Sequence, residues 1–196
     1  MNKIVIASSN PGKLREIARI LKPLSMNAVP QSDFDVPECP EPYVTFIENC
    51  LAKARHASAH TGLPALADDS GICVDALNGA PGVYSARYAG EPKSDARNND
   101  KLIAALQGQA NRRAHYYCVM VLVRYADDPE PVIAEGRWFG EIIDTPRGDG
   151  GFGYDPYFLL THLGITGAEM GADAKNAVSH RGQALRELAA KLKVLG

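Results

Sequence analysis

The sequence predicts an α/β protein. Strand-like apolar runs alternate with helix-like periodic segments through the first half of the chain. Two β-prone segments joined by an acidic, proline-containing turn follow, and an amphipathic helix closes the chain. With 196 residues, the chain is the size of one domain that can carry two lobes, and long enough to bury a core.

Residues 3–8 read as the first strand, because Ile4, Val5, Ile6 and Ala7 form a continuous apolar run of the kind covered on both faces. Ser8, Ser9, Asn10, Pro11, Gly12 and Lys13 follow. Leu14, Ile17, Ala18 and Leu21 then mark one face of a helix. A polar turn from strand to helix N-terminus offers N–H groups and a positive dipole end to an anion. A plain Ser or Asn cap leaves the same pattern. The turn is not a Walker A loop, since Ala7 replaces the first Gly and Leu14 the Ser/Thr.

Residues 30–42 read as a loop, rich in proline and carrying Asp33, Asp35, Glu38 and Glu41. Thr45-Phe46-Ile47-Glu48 matches a capping box. It starts a helix that runs to about His60 and stops at Gly62. Ile47, Cys50, Leu51, Ala54, Ala57 and Ser58 are its expected buried face, with Lys53 and Arg55 off that stripe.

The next strand, residues 63–67, ends at Asp68-Asp69-Ser70-Gly71, and Ile72-Cys73-Val74 resumes the pattern. Two carboxylates at a strand end suit a hard cation or an activated water. The same four residues also make an ordinary solvated turn. A loop at 78–82 and an unusually aromatic segment at 83–90 lead to a helix at 94–106, with Leu102, Ile103 and Leu106 on one side. Residues 113–125 are β-prone, 127–131 turn, 132–139 return as an antiparallel partner, and a further strand is expected at 141–144.

Residues 148–153 match the letters G-x-G-x-x-G, but that motif must open a helix. Here Tyr154-Asp155-Pro156 and then Tyr157-Phe158-Leu159-Leu160 predict a loop followed by a strand. What remains is a flexible glycine segment presenting Phe152, Tyr154 and Asp155. Its aromatics either stack on a base or pack inward. The last helix begins near Ser179, with Ala184, Leu185, Leu188, Ala189 and Leu192 inward. Lys175, His180 and Arg181 cluster before and inside its first turn, where cations oppose the helix dipole. A polyanionic ligand among them would offset that cost; an exposed basic turn would cost little in water.

Whole-chain properties narrow the function. Cys39, Cys50, Cys73 and Cys118 contain no C-x-x-C pair, which argues against a structural zinc site and fits a reducing cytoplasm. The start, Met1-Asn2-Lys3-Ile4, has no secretory pattern, and no apolar stretch is long enough to span a bilayer. A formal net charge of −2 argues against a general nucleic-acid partner, while a local basic cluster can still hold a small phosphorylated ligand.

Six segments in one order resemble the inosine/xanthosine triphosphate pyrophosphatase family, the house-cleaning enzymes for non-standard purine nucleotides. They are the turn at 8–13, Thr45-Phe46-Ile47-Glu48-Asn49, Ala67-Asp68-Asp69-Ser70-Gly71, residues 82–90, Gly151-Phe152-Gly153-Tyr154-Asp155-Pro156 and Ser179-His180-Arg181-Gly182. The resemblance runs nearly end to end. It implies an elongated mixed sheet flanked by helices in two lobes, the nucleotide in the cleft between them, and a homodimer. It implies magnesium-dependent hydrolysis of ITP, dITP or XTP to the monophosphate and pyrophosphate.

By the same resemblance Asp69 is general base and magnesium ligand, Ser8 to Lys13 hold the phosphates, and Ser70 contacts the substrate. Phe152, Gly153, Tyr154, Asp155, Lys175, His180 and Arg181 bind the sugar and base. The family often has two adjacent acids before the Thr-Phe segment; this chain has Glu38-Cys39-Pro40-Glu41-Pro42, so Glu41 is taken as the second metal ligand, with Glu38 in reserve. A triphosphate needs counter-charge before a nucleophile approaches it. Lys13, Lys53, Lys175 and Arg181 supply it, and Asp68 with Asp69 can place magnesium and the attacking water. The rival readings are a Maf-type nucleotide pyrophosphatase, a nucleotide sensor without turnover, and an RNA- or DNA-binding module reading the base through Phe152 and the basic turn, against which the mild acidity and lack of a basic face count.

Overall fold

The structure, a computed structural model, describes residues 3–8 and 10–195. Strand β1 (Lys3–Ile6) leads through the polar turn into helix α1 (Pro11–Leu21). Strand β2 (Asn27–Pro30) returns parallel to β1, with Lys3 opposite Asn27 and Ile6 opposite Pro30. Helix α2 (Phe46–Thr61) then feeds β3 (Ala65–Val74), which runs parallel to β1 on its other side, Val5 opposite Ala65. Helix α3 (Asp95–Ala105), β4 (Arg113–Val123), β5 (Val132–Ile142), β6 (Phe158–Leu160) and β7 (Ile165–Thr166) follow. Helices α4 (Ala172–Val178) and α5 (His180–Leu195) end the chain. The described strands form one seven-stranded sheet in the order β2-β1-β3-β4-β5-β6-β7. It is parallel where β1 meets β2 and β3, and antiparallel from β5 to β7. This is the expected α/β class with a mixed sheet.

The chain divides into two compact units. Unit one holds Met1–Asp69, Cys118–Glu135 and Gln183–Gly196; unit two holds Ser70–Tyr117 and Gly136–Gly182. In unit one, Ile4, Ile6, Leu66, Met120 and Leu122 pack with Ile17 and Leu21 of α1 and Ala184 and Leu188 of α5. The alternate strand positions Val5, Ala65, Ala67, Val119 and Val121 are equally buried, and the Cys50 thiol of α2 donates to Val119 O at 3.5 Å. Both faces of these strands are covered, which is why their sequences read as continuous apolar runs. Each large side chain so buried contributes about 2 kcal/mol. Unit two has its own core, in which Ile72, Leu102, Leu106, Tyr116, Trp138 and Phe158 meet.

Caps explain where the helices start. Asn10 Oδ1 accepts from the N–H of Gly12 at 2.8 Å and of Lys13 at 3.2 Å. Thr45 accepts from Glu48 N–H, Ser94 from Arg97 N–H and Ser179 from Gly182 N–H. Gly62, at φ 67°, ends α2 in the left-handed conformation that the stop signal requires.

Several sequence expectations are corrected. No turn interrupts residues 68–71; β3 runs straight through them. Turn-forming side chains are overridden here because Asp68 is 3 % exposed and neutralised by Lys13 Nζ at 2.7 Å, while the apolar residues on either side fill cores. Gly140 does not separate two strands; β5 continues to Ile142. A Cβ on Gly140 would stand 2.5 Å from Leu159 O, so the glycine permits the close approach of β6. Ile47 is 38 % exposed rather than buried. Lys175 sits in a helix of its own, α4, and β2 and β7 were not expected at all.

Candidate active site

Unit one gathers three carboxylates and two lysines around β3. Adjacent residues of a strand point to opposite faces, so Asp68 and Asp69 each meet a different helix. Asp68 pairs with Lys13 of α1. Lys53 of α2 stands between Glu41, at 2.7 Å, and Asp69, at 3.4 Å. Of the two candidate acids in the loop, Glu41 is the one that reaches this lysine.

Three carboxylates against two ammonium groups leave a net negative charge in a half-buried place. Burial, the largest cause, together with Glu41 and Asp68, pushes the Asp69 carboxyl up to about 6, although Lys53 and Lys13 pull it down. Burial also works against the Lys53 ammonium, but Asp69, Glu41 and Asp68 outweigh it and hold this lysine above its ordinary range. Among the described residues no group of three or more His, Cys, Asp or Glu side chains converges on a metal position. A magnesium ion does not need one, since it is usually held by one or two carboxylates with substrate phosphates and water completing its shell. The hard oxygen donors of Glu41 and Asp69 and the shortage of positive charge fit such an ion.

The turn before α1 contributes Ser8 and residues 10–13; Ser9 lies outside the described residues. Asn10 N–H donates to Ser8 Oγ at 3.2 Å. The N–H groups of Gly12 and Lys13 are taken by the Asn10 cap, so an anion engaging them has to displace that side chain.

Unit two holds the aromatic and basic candidates. Phe152 is 62 % exposed, whereas Tyr154 is 4 % exposed and its hydroxyl donates to Ser85 O at 2.7 Å. One aromatic of the glycine segment therefore faces outward and the other packs in. Lys175 Nζ lies 4.8 Å and Arg181 Cζ 6.0 Å from the centre of the Phe152 ring. Arg181 Nη2 donates to Ser70 Oγ at 3.3 Å. His180 and Arg181 are buried, not an exposed basic turn.

His180 stacks on Tyr116 with centroids 4.8 Å apart and 8° between the planes. Tyr116 OH in turn donates to Asp155 Oδ1 at 3.3 Å. Burial first, and Asp155 next, raise the Tyr116 phenol well above its ordinary range, so it remains a donor. Asp155 is 2 % exposed and also accepts from Phe152 N–H at 2.8 Å and from Lys175. It ties these groups together from within. Gly153 belongs to the same loop, its N–H bonded to Asp95 and its carbonyl to Asn99.

Sequence reasoning missed Tyr116, Asp95 and Asn99, and Trp138, whose ring stacks on His180 with centroids 6.4 Å apart. A signal existed for one of them: Asn98 and Asn99 precede Leu102 and Ile103 by one helical turn, so two amides occupy the apolar stripe of α3.

Comparison with known proteins gives one consistent answer. The chain is 64 % identical over 194 residues to a dITP/XTP pyrophosphatase of Chromobacterium violaceum, covering 99 % of this chain and 98 % of the relative. It is 65 % identical over 188 residues to a protein of the same name from Nitrosomonas europaea, covering 96 % and 93 %. Its fold superposes on a HAM1 protein from Coxiella burnetii with a TM-score of 0.96 at 47 % identity, covering 99 % of this chain and all of the other. The Ham1 protein of Staphylococcus aureus matches with a TM-score of 0.92 at 38 % identity, with the same coverage. Residues 4–191 match the Ham1 family as a whole, and the chain belongs to that family.

Proposed function

We propose that this protein hydrolyses non-standard purine nucleoside triphosphates, namely ITP, dITP and XTP, to the monophosphate and pyrophosphate. The observation that carries the reading is Asp69, a half-buried carboxylate held beside Lys53 and Glu41, in a chain over 60 % identical to relatives named dITP/XTP pyrophosphatase. Asp69 accepts a proton from water as its oxygen attacks the α-phosphorus. The bond from that phosphorus to the bridging oxygen breaks, and pyrophosphate leaves. Lys13 and Lys53 offset the phosphate charge, Asp68 orients Lys13, and the turn at 8–13 lies against the phosphates. Glu41 and Asp69 would hold magnesium, which supplies a Lewis acid for the polyphosphate. Phe152 stacks on the base, with Lys175, His180 and Arg181 around the nucleoside. Ser70 contacts substrate beside Arg181, while Tyr154 and Asp155 support the loop.

ITP hydrolysed in ¹⁸O-water should yield labelled IMP and unlabelled pyrophosphate. IDP and orthophosphate as products would refute the reading.

The reading includes a homodimer in the cytoplasm. Phe139 is 65 % and Tyr84 49 % exposed, apolar surface that a second copy of the chain would cover. Light scattering at micromolar concentration should give twice the mass of the chain; a monomer mass would overturn the assembly. All four cysteines are free thiols, as a reducing compartment keeps them. Among the described residues no helix is long and apolar enough to cross a membrane. Recovery of the protein with the membrane or outside the cell would count against a cytoplasmic place.

A further inference from the structure

The position of Phe152 is not fixed by packing of its ring, which is largely exposed. It lies between Gly151, at φ 73°, and Gly153, at φ 62°. Two glycines in left-handed conformations give a loop many alternatives when nothing restrains it. Asp155 holds the N–H of Phe152 itself from within the loop, and α3 holds the residue that follows it.

Gly153 is gripped on both sides of its backbone by one turn of that helix. Its N–H donates to Asp95 Oδ2 at 2.8 Å, and its carbonyl accepts from Asn99 Nδ2 at 3.0 Å. Asn99 is 7 % exposed. A buried amide in a helix interior is costly unless it is hydrogen-bonded; the Asn99 Nδ2 donates to Gly153 O and to Asp95 O at 2.9 Å, while its Oδ1 has no hydrogen-bond partner. The neighbouring Asn98, 2 % exposed, does the same for a second segment. Its Oδ1 accepts from Ala89 N–H at 2.7 Å, and its Nδ2 donates to Ala86 O at 3.2 Å. The two buried amides of α3 are thus spent on the backbone of other segments.

We propose that Asp95 and Asn99 are positioning residues that clamp Gly153 and thereby preorganise Phe152 for the base of the nucleotide. The proposal rests on the reading of Phe152 as a base platform. Neither residue touches substrate; both act through the loop. Preorganisation lowers the ordering cost of binding. On that reading the clamp serves the base and not the reacting phosphorus, so its loss weakens ground state and transition state alike. That signature is a raised KM with kcat preserved.

Steady-state kinetics with ITP test this on Asn99→Ala, Asp95→Ala and Asp95→Asn, each alone and combined with Phe152→Ala. The two alanine variants should each raise KM by roughly tenfold, the scale of a lost hydrogen bond to a buried or charged group, with kcat within about twofold. Asp95→Asn keeps an acceptor oxygen and should stay close to the parent. On the Phe152→Ala background the same substitutions should raise KM little further. An equal rise with and without the Phe152 ring would overturn the proposal, as would a fall in kcat at unchanged KM.

Should Asn99→Ala fold poorly, the exposed Asp95 probes the same glycine without opening the core. Amide hydrogen exchange of a peptide covering 150–155 supplies an independent readout. Exchange should quicken in Asp95→Ala, and unchanged protection would refute the clamp even for a chain that turns over no ITP. A parent protein inactive on ITP, dITP and XTP, yet with the loop loosened by Asp95→Ala, would refute the nucleotidase reading and leave the clamp as a loop anchor only.

Discussion

Asp69→Asn should lower kcat on ITP by about 10²-fold or more, the scale of general-base catalysis, while leaving thermal stability near or above that of the parent. Asparagine keeps the shape of the side chain but removes the charge and the basic oxygen. A carboxyl pushed up to about 6 from an ordinary 3.8 is disfavoured in its charged form within the fold. Its protonated state therefore supports the fold below the unfolded value, and that support is lost as pH rises through about 6. At neutral pH the ionised Asp69 costs the folded chain on the order of 3 kcal/mol by itself. Removing the charge relieves that cost. That cost is already net of the pull of Lys53, which keeps Glu41 at 2.7 Å, so the substitution does not lower stability. Circular dichroism melts of metal-free protein at pH 7 should show Tm unchanged or raised. A large drop in Tm with activity retained per folded molecule would return Asp69 to a purely structural part.

The stretch around Asp69 was only half legible in the sequence. Asp-Asp-Ser-Gly is good turn chemistry, and nothing local distinguishes a turn from a strand that buries Asp68 against a lysine 55 positions earlier. The partner is the missing information. The long helices were legible because each has both an apolar stripe and a cap: Asn10, Thr45, Ser94 and Ser179 stand where the periodicity begins. The short elements were not. Strand β2 has no buried residue of its own and neither does α4, so neither writes a periodic signal into the chain; their places are set by β1 and by Lys175 reaching Asp155. Likewise the order of the six segments pointed to a nucleotide enzyme, whereas the pairing of Lys53 with Glu41 and the grip of α3 on Gly153 are contacts across 12 and more than 50 positions that no spacing rule encodes.

Arg181→Ala should cost far more activity with ITP than with ATP, and Phe152→Ala should weaken both nucleotides about equally. Hypoxanthine carries a carbonyl at C6 and a protonated N1; adenine carries an amino group at C6 and a bare N1. Arg181 has only donors, and His180 has at least one. Donors aimed at C6 suit a carbonyl and leave the adenine amino group facing another donor. A buried donor without a partner costs about 1–3 kcal/mol, and both side chains are buried, His180 being 6 % and Arg181 8 % exposed. Two such mismatches give a preference of several hundred-fold or more, within the roughly 10⁴-fold reached by sites built on hydrogen bonds. The stack of His180 on Tyr116 at 4.8 Å fixes its ring plane, and the bond from Arg181 to Ser70 at 3.3 Å limits where the guanidinium can turn. Phe152 offers a ring face to any purine, worth about 1–3 kcal/mol without discrimination. The quantity to measure is the ratio of kcat/KM for ITP to that for ATP, which does not depend on the fraction of enzyme folded. It should collapse by at least tenfold in Arg181→Ala and stay within about twofold of the parent in Phe152→Ala. Should Arg181→Ala lower both nucleotides by the same factor, the arginine serves the phosphates or the fold, and base choice lies elsewhere.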